Sequence, residues 1–141
     1  ANQRSLVEWG QLMITDKFCA LPHGPVPTEL YNAIKGQKSV IPNMKNDINV
    51  VDYYLLPKRD SDTDYLSDYD MEVLDECISK YGKMSFTELE RTSHTDCWEK
   101  ARSRKGNHVI YPGDIARDGG ASEQLVEYIN DSIEFNETFG N

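Results

Sequence analysis

The chain contains 141 residues, of which 38% are hydrophobic and 28% are charged, so it can build the core of one domain. Its 15 Lys and Arg residues stand against 24 Asp and Glu residues, which gives a net charge of −9. A protein that neutralises several phosphates needs a basic face. The composition therefore disfavours nonspecific binding to nucleic acid or to anionic membranes.

The cysteines and the apolar runs indicate the cellular compartment. Cys19, Cys77 and Cys97 are odd in number, far apart and without a CxxC pair, so they do not suggest a disulfide framework. No run approaches the ~18 apolar residues of a membrane span, and no secretion signal is recognised. We therefore expect a soluble, cytoplasmic protein.

The first half of the chain predicts short helices and a small sheet. Residues 3–9 have helical composition, and residues 17–21 form a strand candidate. A helix over residues 27–36 follows, because a proline suits its first position and a glycine its end. Residues 50–56 are β-branched and aromatic, which predicts a second strand. We expect the two strands to pair in an antiparallel sheet.

The second half carries repeated helix-capping signatures. Ser67 with Asp70 resembles a capping box and predicts a helix to Tyr81, whereas residues 106–120 have an irregular pattern. Residues 1–141 as a whole predict one α+β domain, mainly α, with a small two-stranded antiparallel β element. The remaining helices are expected to begin at Ser85 (with Glu88), Asp96 (with Glu99) and Ser122.

An aspartate-rich run at residues 60–64 has the DxDxD opening of a calcium loop. Such a loop requires Gly at its sixth position and Glu at its twelfth, where this chain has Tyr65 and Met71. We interpret the run as a solvated loop that leads into a helix cap.

Histidine and cysteine side chains raise the alternative of a metal-dependent or thiol hydrolase. The group formed by His94, Asp96 and Cys97, with His108 downstream, matches no standard zinc set. Common enzyme motifs such as GxSxG and HExxH are missing from the sequence, so we expect no catalytic residue, metal or cofactor. The Cys–His pairs that a nucleophile would require are Cys19 with His23 and Cys97 with His94.

The densest basic cluster consists of Lys100, Arg102, Arg104 and Lys105. Cations at a helix end complement the helix dipole, so the simplest interpretation is a solvated C-terminal turn. A second interpretation is a local docking spot for an acidic partner or for nucleic acid.

The most distinctive string is HGPVP at residues 23–27. Its prolines and glycine predict a rigid turn between a strand and a helix. A sharper interpretation is that this turn presents His23 and Tyr31 to a partner.

This string resembles the hallmark segment of a known family. Residues 16–31 are similar to the most specific segment of the Panacea domain, a family that includes SocA-like antitoxins and phage-associated proteins. The similarity covers roughly residues 6–133. Its weaker parts are residues 65–74, 81–82, 85–89 and 92–94, together with Trp98.

The resemblance implies a mainly helical fold with a small β element, and the antitoxin role of a type II toxin–antitoxin system. Such a domain binds and neutralises its cognate toxin, in some members as an adaptor that delivers the toxin to a bacterial ATP-dependent protease. No catalytic residue is implied, and several signature positions are expected to be structural. The signature positions, which are also the candidates for partner binding, are His23, Gly24, Pro25, Val26, Pro27, Tyr31, His94 and Trp98.

The resemblance also predicts a missing element and leaves one alternative function. Family members have an apolar N-terminal helix ahead of the segment that begins here at Gln3, so this chain is expected to lack most of it. An apolar groove exposed in this way would recruit a second copy or an exchanged segment, which predicts a homodimer. The alternative function is a phage or transcriptional regulatory module that contacts DNA in a complex.

Overall fold

A computed structural model describes residues 1–42, 44–52 and 54–140 of the chain. Within these residues it contains α-helices at Asn2–Trp9 (α1), Thr28–Ile34 (α2), Asp68–Tyr81 (α3), Phe86–Ser93 (α4), Asp96–Ser103 (α5), Pro112–Asp118 (α6) and Glu123–Phe139 (α7). The strands are Phe18–Leu21 (β1), Gly24–Pro27 (β2), Ile48–Val51 (β3), Tyr54–Pro57 (β4) and Val109–Ile110 (β5), with a 3₁₀ turn at Met44–Asn46. One residue of the predicted strand over 50–56, Tyr53, lies outside the described residues.

The mainly α, α+β class is confirmed, and the capping signatures explain where the helices begin. Ser67 and Asp70 form a capping box at the start of α3, and Ser85 and Glu88 form another at the start of α4. Each serine hydroxyl accepts a backbone N–H that the first helical turn leaves unpaired, and each acid reaches back to the serine N–H. Ser122 caps α7 through the Leu125 N–H.

The predicted pairing of the two strands is wrong. Strand β1 lies at the centre of a three-stranded antiparallel sheet of order β2–β1–β5, so its neighbours are β2 and β5. Residues 50–56 belong instead to a separate hairpin, β3–β4, whose turn begins at Asp52 with a left-handed φ of 54°. An aspartate tolerates this conformation, so the chain reverses without the glycine that would have signalled a hairpin.

Two further elements differ from the sequence-based expectation. Within the HGPVP string, His23 belongs with Pro22 to the turn, and Gly24–Pro27 is the edge strand β2. Prolines are tolerated there because β2 pairs with only one neighbour. Residues 106–120 are not irregular, since they contain β5 and α6. Pro112 is the first residue of α6, where its missing N–H has no consequence.

Two buried clusters form the core. The first joins α1, α6 and α7 through Leu6, Ala116, Val126 and Ile129. The second, around Ala20, joins β1, β5 and α5. The half-buried Ile115 packs against both clusters, so α6 connects the helical part to the sheet.

The second cluster places α5 against the central strand. Ala20 and Ala101 are fully buried, and Cys97 and Ile110 lie beside them. Small side chains at Ala20 and Ala101 allow the helix to approach the sheet closely, which fixes α5 beneath the β1–β2 turn.

The first cluster supplies a test of the fold. Ile129 is 1% exposed, and Ile129→Ala removes apolar contacts and leaves a cavity, which lowers the free energy of unfolding by about 2–5 kcal/mol. Ile78→Ala, at a position that is 68% exposed on α3, is the control and changes it by less than about 0.5 kcal/mol. Urea denaturation followed by circular dichroism measures both, and equal values would contradict this core assignment.

Candidate partner-binding site at the β1–β2 turn

The turn between β1 and β2 presses against the end of α4. Gly24 is buried, pairs with Leu21 across the turn, and has a φ of 139°, which side-chain-bearing residues rarely adopt. A Cβ atom at this position would lie 2.8 Å from the Ser93 hydroxyl oxygen. Gly24 therefore allows both the backbone conformation of the turn and the close approach of α4.

Two aromatic side chains support the turn from below. The indole Nε1 of Trp98 donates a hydrogen bond to the Leu21 carbonyl at 3.1 Å. The His94 ring stacks on the Trp98 ring, with centroids 3.6 Å apart and planes 10° from parallel. His94 also ends α4, where its N–H donates to the Glu90 carbonyl. The structure thus gives His94 and Trp98 a supporting position.

His23 is the signature side chain that projects outward. Its Nδ1 atom lies 2.7 Å from Glu90 Oε1, and its ring makes an edge-type contact with the Phe86 ring at a centroid distance of 5.5 Å. His23 is exposed, and Phe86 is 64% exposed although it is a large apolar side chain. We call His23, Phe86 and Glu90 the turn patch.

The signature prolines have a structural position. Pro25, Val26 and Pro27 lie in β2 opposite Ala20, Cys19 and Phe18 of β1, and each is half-buried. Pro27 has extended backbone angles and immediately precedes α2, so it directs the chain from the strand into the helix.

Tyr31 lies apart from the turn patch. It is half-buried on α2, and the Lys35 ammonium lies 4.7 Å from its ring centroid. In the described part of the chain, no hydrogen bond or ring contact joins Tyr31 to His23. The structure therefore brings His23, Gly24, His94 and Trp98 together and leaves Tyr31 outside.

Sequence reasoning missed two members of the patch, Phe86 and Glu90. Both lie on α4, more than 60 residues from His23, so only the folded chain brings them to it. Their spacing of four residues on one helix places them on the same face, but this signal does not indicate which turn they meet.

Neither Cys97 nor Cys19 is placed as an activated nucleophile. Burial raises the pKa of the Cys97 thiol to about 12, although the contact with the Thr95 hydroxyl acts in the opposite direction. Cys19 accepts a hydrogen bond from the Thr28 hydroxyl at 3.3 Å. Among residues 1–42, 44–52 and 54–140, no cluster of three or more His, Cys, Asp or Glu side chains could hold a metal ion.

Three of the four members of the basic cluster make contacts within the fold. Lys100 donates to the buried Asp114 carboxylate at 2.6 Å, and Arg104 donates to the Val109 carbonyl at 2.8 Å. Arg102 reaches the Ala20 carbonyl at 3.4 Å. These contacts tie α5 to α6 and to the sheet, which favours a structural interpretation of the cluster over a docking spot.

Comparison with known proteins identifies a matching family. The family described as "Antitoxin SocA-like, Panacea domain" matches residues 1–99, that is, 99 of the 141 residues. All eight signature positions fall within this match, whereas the similarity expected for residues 100–133 stays a prediction. No curated protein and no solved structure matches the chain.

In the part of the chain that the structure describes, no helix combines the length and the apolar character that crossing a bilayer requires.

The turn supplies a second test. Gly24→Ala introduces both a strained φ and a contact with Ser93, and lowers the free energy of unfolding by about 1–3 kcal/mol. In a Ser93→Ala background the same substitution has a smaller effect, because the hydroxyl that it meets is gone. Gly106→Ala, at φ 90° in open space, reports the backbone strain alone. Equal losses from Gly24→Ala in both backgrounds, by urea denaturation, would contradict the packing of the turn on α4.

Cys97 supplies a third test, of its thiol chemistry. With a pKa of about 12 against an ordinary value of 9.0, its thiolate fraction at pH 8 is lower by a factor of about a thousand. Alkylation of Cys97 by iodoacetamide should therefore be slower by about that factor in the folded protein than in guanidinium chloride. Peptide mass spectrometry measures both rates, and similar rates would contradict the buried, protonated thiol.

Proposed function

Because this chain belongs to the SocA-like antitoxin family of Panacea domains, we propose that it is the antitoxin of a type II toxin–antitoxin pair and that it binds and neutralises a protein toxin. The family supports an antitoxin-type role with a protein partner and suggests that this role is not enzymatic. The toxin itself is part of the proposal.

The observation that carries the proposal is the turn patch. An exposed phenylalanine beside an imidazole and a carboxylate offers one apolar and two polar contacts on a small surface. Aromatic anchors of this kind contribute much of the binding energy at protein interfaces. Because the turn that carries His23 is rigid, less conformational entropy is lost when a partner binds.

The charge of the chain suggests the chemistry of the toxin. A net charge of −9 accelerates the encounter with a basic protein and slows the encounter with nucleic acid. We therefore propose a basic toxin.

Three finer roles stay predictions. They are delivery of the toxin to an ATP-dependent protease, contact with DNA in a complex, and a homodimer. A homodimer would need an exposed groove. A depression beside α7 supports this prediction, and its lining combines apolar side chains such as Leu12, Ile133 and Phe135 with polar ones such as Gln11 and Asn136. Sedimentation of the purified chain tests the dimer, and a gel shift with and without the toxin tests the contact with DNA.

Growth rescue tests the proposed function. The protein encoded by the open reading frame next to this gene is expressed from an inducible promoter, and co-expression of this chain is expected to restore growth. Phe86→Ser removes the aromatic anchor and should raise the Kd for that protein at least tenfold, as measured by biolayer interferometry, and weaken rescue.

The matched control is Phe139→Ser, which removes another exposed phenylalanine, at the end of α7. It should leave rescue and Kd unchanged. Toxicity of the neighbouring protein without rescue by the wild-type chain would contradict the antitoxin role. Rescue that is equally strong with Phe86→Ser and His23→Ala would contradict the assignment of the turn patch.

A further inference from the structure

The β3–β4 hairpin exposes apolar side chains on both of its faces. Val50 and Leu55 are directly opposite each other on one face, and Val51 and Tyr54 are opposite each other on the other face. These four side chains are between 49% and 72% exposed. A partner that covered only one face would leave the other in water, so the shape fits a groove that receives the hairpin from both sides.

The hairpin is held at its base by polar contacts. The Lys58 N–H donates to the Asp47 carbonyl at 2.8 Å, and the Arg59 guanidinium pairs with the Asp47 carboxylate. An isolated two-stranded hairpin is only marginally stable in water, because it buries little apolar surface by itself. Burial of its side chains in a partner would therefore both stabilise the hairpin and contribute to the binding energy.

Acidic residues lie at the tip of the hairpin and beyond its base. Asp52 begins the turn at the tip, and an acidic run begins at Asp60, three residues and thus at most about 11 Å beyond Pro57. The two cations between them are engaged locally, since Arg59 pairs with Asp47 and the Lys58 ammonium donates to the Lys45 carbonyl. Arg4 binds two acids of this run, Glu72 and Glu76. The run contains no Lys or Arg, and its members are Asp60, Asp62, Asp64, Asp68, Asp70, Glu72, Asp75 and Glu76.

We propose that this hairpin inserts into an apolar groove of the protein toxin whose rim carries Lys and Arg, an inference that rests on the antitoxin function proposed above. The acidic residues at the tip and beyond the base select a cationic rim. They also argue against the other occupants, because a second copy would bring the same acidic residues and a net charge of −9, and an anionic bilayer would repel them.

Binding kinetics test the apolar part of the proposal. The full chain is immobilised, and the protein from the neighbouring open reading frame is the probe. The double variant Val50→Ser/Leu55→Ser should raise the Kd at least tenfold, mainly through faster dissociation. Val50→Ile/Leu55→Ile keeps the apolar surface and should bind like the wild type. The control Ile78→Ser removes an even more exposed apolar side chain on α3 and should also bind like the wild type.

Charge variants test the electrostatic part without altering the apolar side chains. Replacing Asp60, Asp62 and Asp64 by Asn should slow association several-fold at low salt and leave dissociation nearly unchanged. The difference should disappear in 1 M NaCl, where the screening length is about 3 Å.

The outcomes separate this proposal from the proposed function. If the wild-type chain does not bind the neighbouring protein, both are overturned. If it binds and the Ser variant of the hairpin binds equally well, the hairpin proposal alone is overturned and the antitoxin function stands. A dimer in sedimentation that the Ser variant abolishes, or hairpin-dependent binding to phosphatidylcholine vesicles, would assign the hairpin to a second copy or to a lipid surface and would overturn the proposal.

Discussion

The contact of the β1–β2 turn with α4 and α5 is the constraint on which the candidate site depends. The Trp98 indole donates a hydrogen bond to the Leu21 carbonyl, and Ser93 leaves no room for a side chain at position 24. Because α5 also packs on Ala20 of the central strand, one helix fixes both the sheet and the turn. His23 reaches Glu90 and Phe86 only as a result of this arrangement. The turn and the strand that follows it thus place one exposed histidine, His23, beside α4.

Two surfaces of different character follow from the fold. The turn patch is small, held rigidly from below and mixed in polarity. The β3–β4 hairpin is larger, apolar on both faces and fixed mainly at its base. A rigid anchor reduces the entropy lost on binding, whereas a loosely supported hairpin can adjust to the shape of a groove. In the proposed antitoxin, the turn patch would be a preformed contact and the hairpin an adaptable one.

Features that depend on neighbouring residues could be predicted from the sequence, and features that depend on distant residues could not. The capping boxes at Ser67 and Ser85 are local, and so is the stripe on α7 that buries Val126 and Ile129. The start of α6 could not be predicted, because a proline followed by a glycine, here Pro112 and Gly113, is typical of a turn. The structure shows that Gly113 lies against Asn130 of α7, a close approach that only the tertiary fold reveals. The turn patch was half predicted, since its histidine belongs to the distinctive string and its two partners lie on a distant helix.

Hydrogen–deuterium exchange of the full chain, with and without the protein encoded by the neighbouring gene, which we propose to be the toxin, tests the central claim most directly. The account predicts that toxin binding slows exchange in the peptides that contain residues 22–24 and 86–90, while the peptides of α7 exchange as in the free chain. Protection confined to α7, with no change at the turn and α4, would contradict it.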